Sequence, residues 1–190
     1  MARLTRLEVL VDMNDEVLGE LKALRRAVTC LEAERDCAAV LARYGYYSDH
    51  GRRDEWIKLW TEDGVFDLMM FYGDDVMNGD PSQWKHTRFV GHNQLHDVIY
   101  SPVNVSIVGR SQHQMGGPPA TFRLIDDDNA VMVTYSVVYV KDKPDLPVVQ
   151  YQNHGMNRWT FRKVDGQWYI AENIRRRMGD PDSGKLFEDF

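Results

Sequence analysis

The sequence predicts an α+β domain in which helices pack against one curved antiparallel sheet. Apolar residues recur at helical spacing from Leu7 to Tyr47. From about Val103 onward the pattern changes to β-branched and aromatic runs punctuated by the turn sequences "DDDN" and "VDGQ". Helices come first and strands after, the order of an α+β fold rather than of alternating βαβ units.

The first element carries two patterns. Leu7, Leu10, Asn14, Val17, Leu21, Leu24, Val28 and Leu31 are separated alternately by three and four residues, the a/d seam of a coiled coil, with Glu, Arg and Lys alongside. Asn14 falls at an a position, where a lone Asn specifies register and two-stranded association. The segment reads either as a self-associating arm or as an amphipathic helix folded back on its own domain. The helix then runs to about Ser48, with Cys37, Val40, Leu41, Tyr44 and Tyr47 on its apolar side, and Gly51 stops it.

Next come a second helix, "RDEWIKLW", a strand, "GVFDLMMFYG", a Gly- and Asp-rich loop over 73–81, and a short helix, "GHNQLHDVIY", opened by Gly91. The β-branched "VNVSIVGR" reads as a strand. "ATFRLIDDDNAVMVTYSVVYVKD" and "PVVQYQNHGMNRWTFRKVDGQWYIAENIRRR" read as hairpins. The tail "GDPDSGKLFEDF" has no periodicity and reads as a mobile end or a pocket cap. The expected organisation is an arm over 1–31, one domain over 32–178 and a tail over 179–190.

Composition limits the function. With 190 residues, 43% hydrophobic and 11% aromatic, the chain suffices for one domain with a real core plus an appendage. A net charge of −6 opposes nucleic-acid binding, which needs clustered Lys and Arg. No apolar run approaches the ~20 residues of a membrane span, so the expectation is a soluble, cytoplasmic chain. Cys30 and Cys37 lie two helical turns apart, too far to bridge, and are expected as reduced thiols.

Asp49 poses a local problem. An acid at a helix C-terminus faces the negative end of the macrodipole, so it is either solvated beside Arg52 and Arg53 or held there for a purpose. On the last strand, alternation puts Tyr169, Ala171, Asn173 and Arg175 on one face. His92 and His96 share a helix face at i,i+4. With no Glu-bearing zinc signature between them they read as surface or pocket-edge histidines, and no metal is expected. Gly-rich phosphate loops and Gly-x-Ser-x-Gly elbows are absent from the sequence.

A helix ending in Tyr-x4-Asp, a "W-x-x-L/I-W/F-x-x-D/E-x-x-F" helix-to-strand joint, a His-bearing strand and a final "DGQWYIAEN" strand follow one another here. That order resembles the SnoaL-like branch of the nuclear-transport-factor-like cone fold over about residues 32 to 178. The resemblance implies a cone-shaped α+β barrel. The family includes dehydratases, a dehydrochlorinase, isomerases, polyketide cyclases and non-catalytic members, so fold alone does not decide function.

In the dehydratase-type members an Asp at the end of the first long helix orients a His that removes a proton inside the cone. Asp49 and His113 match those positions, and Tyr44 matches a tyrosine of the bile acid dehydratase type. The last-strand face of Asn173 and Arg175 matches the residues that hold a leaving group or substrate oxygen. The chemistry is coherent. A neutral imidazole accepts a proton near neutral pH when its other nitrogen donates to a fixed carboxylate, and a Tyr or Arg nearby assists the departing oxygen.

The expectation is therefore a cofactor-independent lyase for a small hydrophobic, aromatic or alicyclic substrate, with Asp49, His113, Tyr44 and Arg175 as catalytic candidates. Asn173, His154, Tyr47, Trp60, Phe66, Met69, Phe71 and Tyr135 are the candidate pocket wall, with Met70, Tyr72 and Met77 in the same apolar cluster. An isomerase using the same base and a non-catalytic binding or assembly module are the alternatives. The chain is expected to form a homo-oligomer, dimer or trimer, with the N-terminal helix contributing.

Overall fold

The structure, a computed structural model, describes residues 6–71, 82, 84–115, 121–141, 149–180, 182–188 and 190. Helix α1, Arg6–Asp49, is a single unbroken element of 44 residues, which at 1.5 Å per residue is about 65 Å long. Its C-terminal half buries Ala33, Cys37, Val40, Leu41 and Tyr44, the 3.6-residue stripe expected of a helix lying on a core. Burial pushes the Cys37 thiol up to about 12. Val17, Leu21, Leu24, Val28 and Leu31, by contrast, are exposed.

The end of α1 is set by Gly51, whose φ of +66° lies in the left-handed region. The Arg52 N–H donates to the Tyr47 carbonyl (2.9 Å) and the Gly51 N–H to that of Ser48 (3.4 Å), the paired bonds of a Schellman cap. Short α2, Arg53–Ile57, follows and buries Trp56.

Seven strands make one sheet: β1 Trp60–Phe71, β2 Trp84–Val90, β3 Ser111–Gln114, β4 Thr121–Leu124, β5 Asn129–Lys141, β6 Val149–Val164 and β7 Gln167–Arg177. Their order is β2-β1-β7-β6-β5-β3, with β4 sharing the outer edge of β5. The β6–β7 turn at Asp165 and Gly166 has both residues at positive φ, as a type I′ hairpin requires. At the β4–β5 turn, Asp126 Oδ1 accepts from the Asp128 N–H (2.9 Å) and Asn129 Nδ2 (2.8 Å).

Two expectations need correction. The sheet is mixed rather than antiparallel throughout, because β1 runs parallel to β7. The curved sheet of the expected cone is not closed. "VNVSIVGR" is not a strand: Pro102–Ile107 forms α4, since the Ser101 hydroxyl caps the Asn104 N–H (3.4 Å) and Pro102 is preset for a first helical turn. Helix α3, Gly91–Ile99, lies where the sequence puts it, whereas β2 is an edge strand that the sequence reading leaves unassigned.

The inner face of the sheet presents Phe66 and Leu68 from β1, Ala130 and Met132 from β5, Trp159 and Phe161 from β6, and Ile170 from β7. These pack on α1, α2 and α3. The tail forms a 3-10 helix, Ser183–Phe187, on the opposite face, where Arg158 Nη1 donates to the Leu186 carbonyl (3.1 Å). No described helix is long and apolar enough to cross a membrane.

Candidate active site

Asp49, the last residue of α1, meets the edge strand β3. His113 Nδ1 donates to Asp49 Oδ1 at 2.6 Å, the Ser111 hydroxyl donates to the same oxygen at 2.7 Å, and the His113 backbone N–H donates to Oδ2 at 2.9 Å. The Gly109 N–H in turn donates to the Asp49 carbonyl (2.8 Å). Both side chains are about nine-tenths buried, at 10% and 8% exposure for Asp49 and His113. Burial pushes the Asp49 carboxyl up, but the bonds from His113 and Ser111 outweigh it and hold the group below the usual carboxylate range.

An ionised Asp49 keeps the imidazole proton on Nδ1, so the neutral ring carries its lone pair on Nε2. No described residue hydrogen-bonds Nε2. Register explains why two β3 side chains reach one carboxylate: Ser111 and His113 sit opposite Val140 and Val138, and alternate residues share a face.

Tyr44 lies one helical turn and a residue earlier. Its ring centroid is 5.1 Å from Trp56, 6.3 Å from Trp60 and 5.4 Å from Trp159, and the Phe66 ring lies tilted 5.4 Å from Trp60. Burial raises the Tyr44 phenol well above its ordinary range, with the charge of Arg175 pulling partly back. The shift favours the protonated phenol, which can donate a hydrogen bond.

On β7 the sequence reading of one face needs correction. Phe161 pairs with Ile170 but Thr160 pairs with Glu172, so Ala171 is an extra residue that shifts the alternation. Asn173 and Arg175 therefore follow Trp168 and Ile170 onto the inner face. Tyr169 does not, and its hydroxyl donates to Gln167 Oε1 (3.2 Å) in an exposed position.

Arg175 Nε and Nη2, Asn173 Oδ1 and the indole nitrogens of Trp56 and Trp60 are buried without a partner among the described residues. Burial lowers the Arg175 pKa, opposed by Tyr44. Unpaired buried donors and acceptors are costly, which makes these groups candidates for contacts with a ligand.

Residues 29–173 match the SnoaL-like domain. The chain belongs to that family. No curated protein matches it. Among solved structures, it resembles a nuclear-transport-factor-like protein with a cystatin-like fold from Novosphingobium aromaticivorans at 22% identity and TM-score 0.69, covering 90% of this chain and 97% of that one. A candidate scytalone dehydratase from the same organism matches at 15% identity and TM-score 0.60, over 80% and 88%. The beta subunit of a candidate aromatic-ring-hydroxylating dioxygenase, also from that organism, matches at 16% and 0.57, over 78% and 92%. A candidate dehydratase and a candidate dioxygenase subunit thus share this fold.

Within this SnoaL-like domain, Tyr44, Trp60, Phe66, Asn173 and Arg175 line the inner face, and His113 with Asp49 stands at its β3 edge. Other candidates lie elsewhere. Met69 pairs with His86 on the outer face, beside Asp67, because inner residues of β1 are the even-numbered Phe66 and Leu68. Tyr135 is 58% exposed and packs its ring on Phe187 of the tail, and His154, across from Val137, shares that outer face.

Tyr47 lies under the Arg52 guanidinium (4.9 Å). It lines a groove of about 520 Å³ with Lys58, Trp168 and Tyr169, and neither Asp49 nor His113 is among the residues of its wall. The side chains of Met70 and Phe71, and all of Tyr72 and Met77, lie outside the described residues. His92 Nε2 bonds to the Trp60 carbonyl (3.1 Å), whereas His96 stacks on Tyr100 at 4.0 Å.

Three polar residues packed beside these candidates escaped the sequence reading. Ser111 stands two residues before His113, a spacing that puts both on one strand face. Thr134 and Ser136 interrupt the apolar alternation of β5. They bond Trp159 Nε1 (3.0 Å) and Asn157 Nδ2 (2.7 Å), extending the polar end of the inner face.

Proposed function

We propose that this SnoaL-like domain is a lyase of the dehydratase type acting on a small hydrophobic substrate, aromatic or alicyclic. The contact between His113 Nδ1 and Asp49 Oδ1 carries the reading, because it leaves Nε2 of a neutral imidazole as a base whose cation the carboxylate stabilises. His113 Nε2 takes a proton from a carbon next to an electron-withdrawing group. The freed electron pair forms a carbon–carbon double bond, and a β-hydroxyl leaves with its bonding pair. Proton return to that oxygen yields water and restores the base, so no redox equivalent is consumed.

The Arg175 Nε and Nη2 groups, unpartnered among the described residues, and the phenol of Tyr44 supply hydrogen bonds for the departing oxygen. The aromatic wall of Trp56, Trp60, Phe66 and Trp159 suits an apolar ring.

The test begins with a screen of hydrophobic alcohols, halides and ketones for loss of a β-substituent. His113→Ala and Asp49→Asn are each expected to lower kcat by about 10²–10⁴-fold on the substrate found. Turnover unchanged in both variants would sink the mechanism. A product isomeric with the substrate, with no group lost, would move the reading to an isomerase using the same base.

A further inference from the structure

At 100° per residue, the stripe of Val17, Leu21, Leu24, Val28 and Leu31 is centred about 180° around α1 from Ala33, Cys37, Val40 and Tyr44, which face the sheet. The five stripe residues are between 52 and 65% exposed. With the helix unbroken from Arg6 to Asp49, the described residues of the chain's own domain leave all five exposed. Five large apolar side chains in a row need a partner surface of the same period.

We infer that this stripe pairs with the same stripe of a second copy in a parallel, two-stranded coiled coil. Charge selects the direction. With Leu21 and Val28 at a and Val17, Leu24 and Leu31 at d, Glu20 is a g residue and Arg25 the following e residue. A parallel pair sets Glu20 of each copy against Arg25 of the other, two attractive contacts across the seam. An antiparallel pair of the same heptads sets Glu20 against Glu20.

The pattern at position 14 agrees. Parallel pairing places Asn14 opposite Asn14, whereas antiparallel pairing places it opposite Leu24, where an amide has no polar partner. The seam also drifts around the helix by about 20° per heptad, which a left-handed supercoil absorbs. Parallel pairing brings both SnoaL-like domains to the same end of the coil, side by side.

Sedimentation equilibrium of the full chain is expected to give a dimer, and Leu21→Asp with Leu24→Asp to give a folded monomer. Glu20→Arg and Arg25→Glu alone each raise the dimer dissociation constant roughly tenfold, and the two together restore it. In a Cys30→Ser background, Leu24→Cys is expected to form a covalent dimer with oxidised glutathione. A monomeric parent, a dimer indifferent to the Asp substitutions, or a Leu24→Cys dimer that does not cross-link would each overturn the inference.

Discussion

Gly45 and His113 stand back to back: a Cβ at position 45 would lie 2.6 Å from the His113 carbonyl oxygen. This close approach of α1 to β3 is what lets Asp49, one turn further on, reach the imidazole. Gly45→Ala tests it. In an ordinary helix interior the change adds about 1 kcal/mol of stability. Here overpacking dominates, and urea melts should show a loss of about 1–2 kcal/mol. A gain in stability would show that the backbones do not meet.

Asp49 links the site to pH. Its folded pKa is depressed by the His113 and Ser111 bonds, so its stabilisation is complete above the ordinary carboxylate pKa of about 4 and fades as pH falls through the depressed value. Asp49→Asn should therefore cost about 1.5–3 kcal/mol at pH 7. Below about pH 4 the gap between parent and variant should close. A gap of equal size in urea melts at pH 7 and pH 3 would contradict the ionised contact.

Arg175 should show opposite effects on stability and activity. Two of its buried N–H groups have no partner among the described residues, so Arg175→Met removes a desolvation cost and should raise the melting temperature or leave it unchanged. On a substrate from the screen, kcat/KM should fall about 10²-fold or more. A marked drop in melting temperature would mean that the guanidinium is a structural anchor.

Asp67 should separate the two faces of the sheet. It accepts from Arg176 Nη1 and His86 Nε2, each at 2.6 Å, on the side away from the dyad. Asp67→Ala leaves the nearly buried Arg176 with the more exposed Asp182 as its remaining carboxylate partner among the described residues, and should cost about 1–3 kcal/mol in a chemical melt. Turnover by the folded variant should stay within about twofold of the parent's, since additivity holds for sites without shared partners.

Local signals in the sequence determined much of this protein. The 3.6-residue stripe of α1, Gly51 at its end, the Asp165-Gly166 turn and the alternating strands are near-neighbour effects, legible because each depends on residues a few positions apart. The heptad of the arm is of the same kind. Tertiary structure alone decided the rest. Nothing local marks the parallel pairing of β1 with β7, roughly a hundred residues apart, or the extra residue at Ala171 that turns Asn173 and Arg175 inward while leaving Tyr169 outside. The same holds for the site. Asp49 and His113 stand out as residue types, but their contact spans 64 positions and depends on a helix and a strand packing so closely that only glycine fits between them.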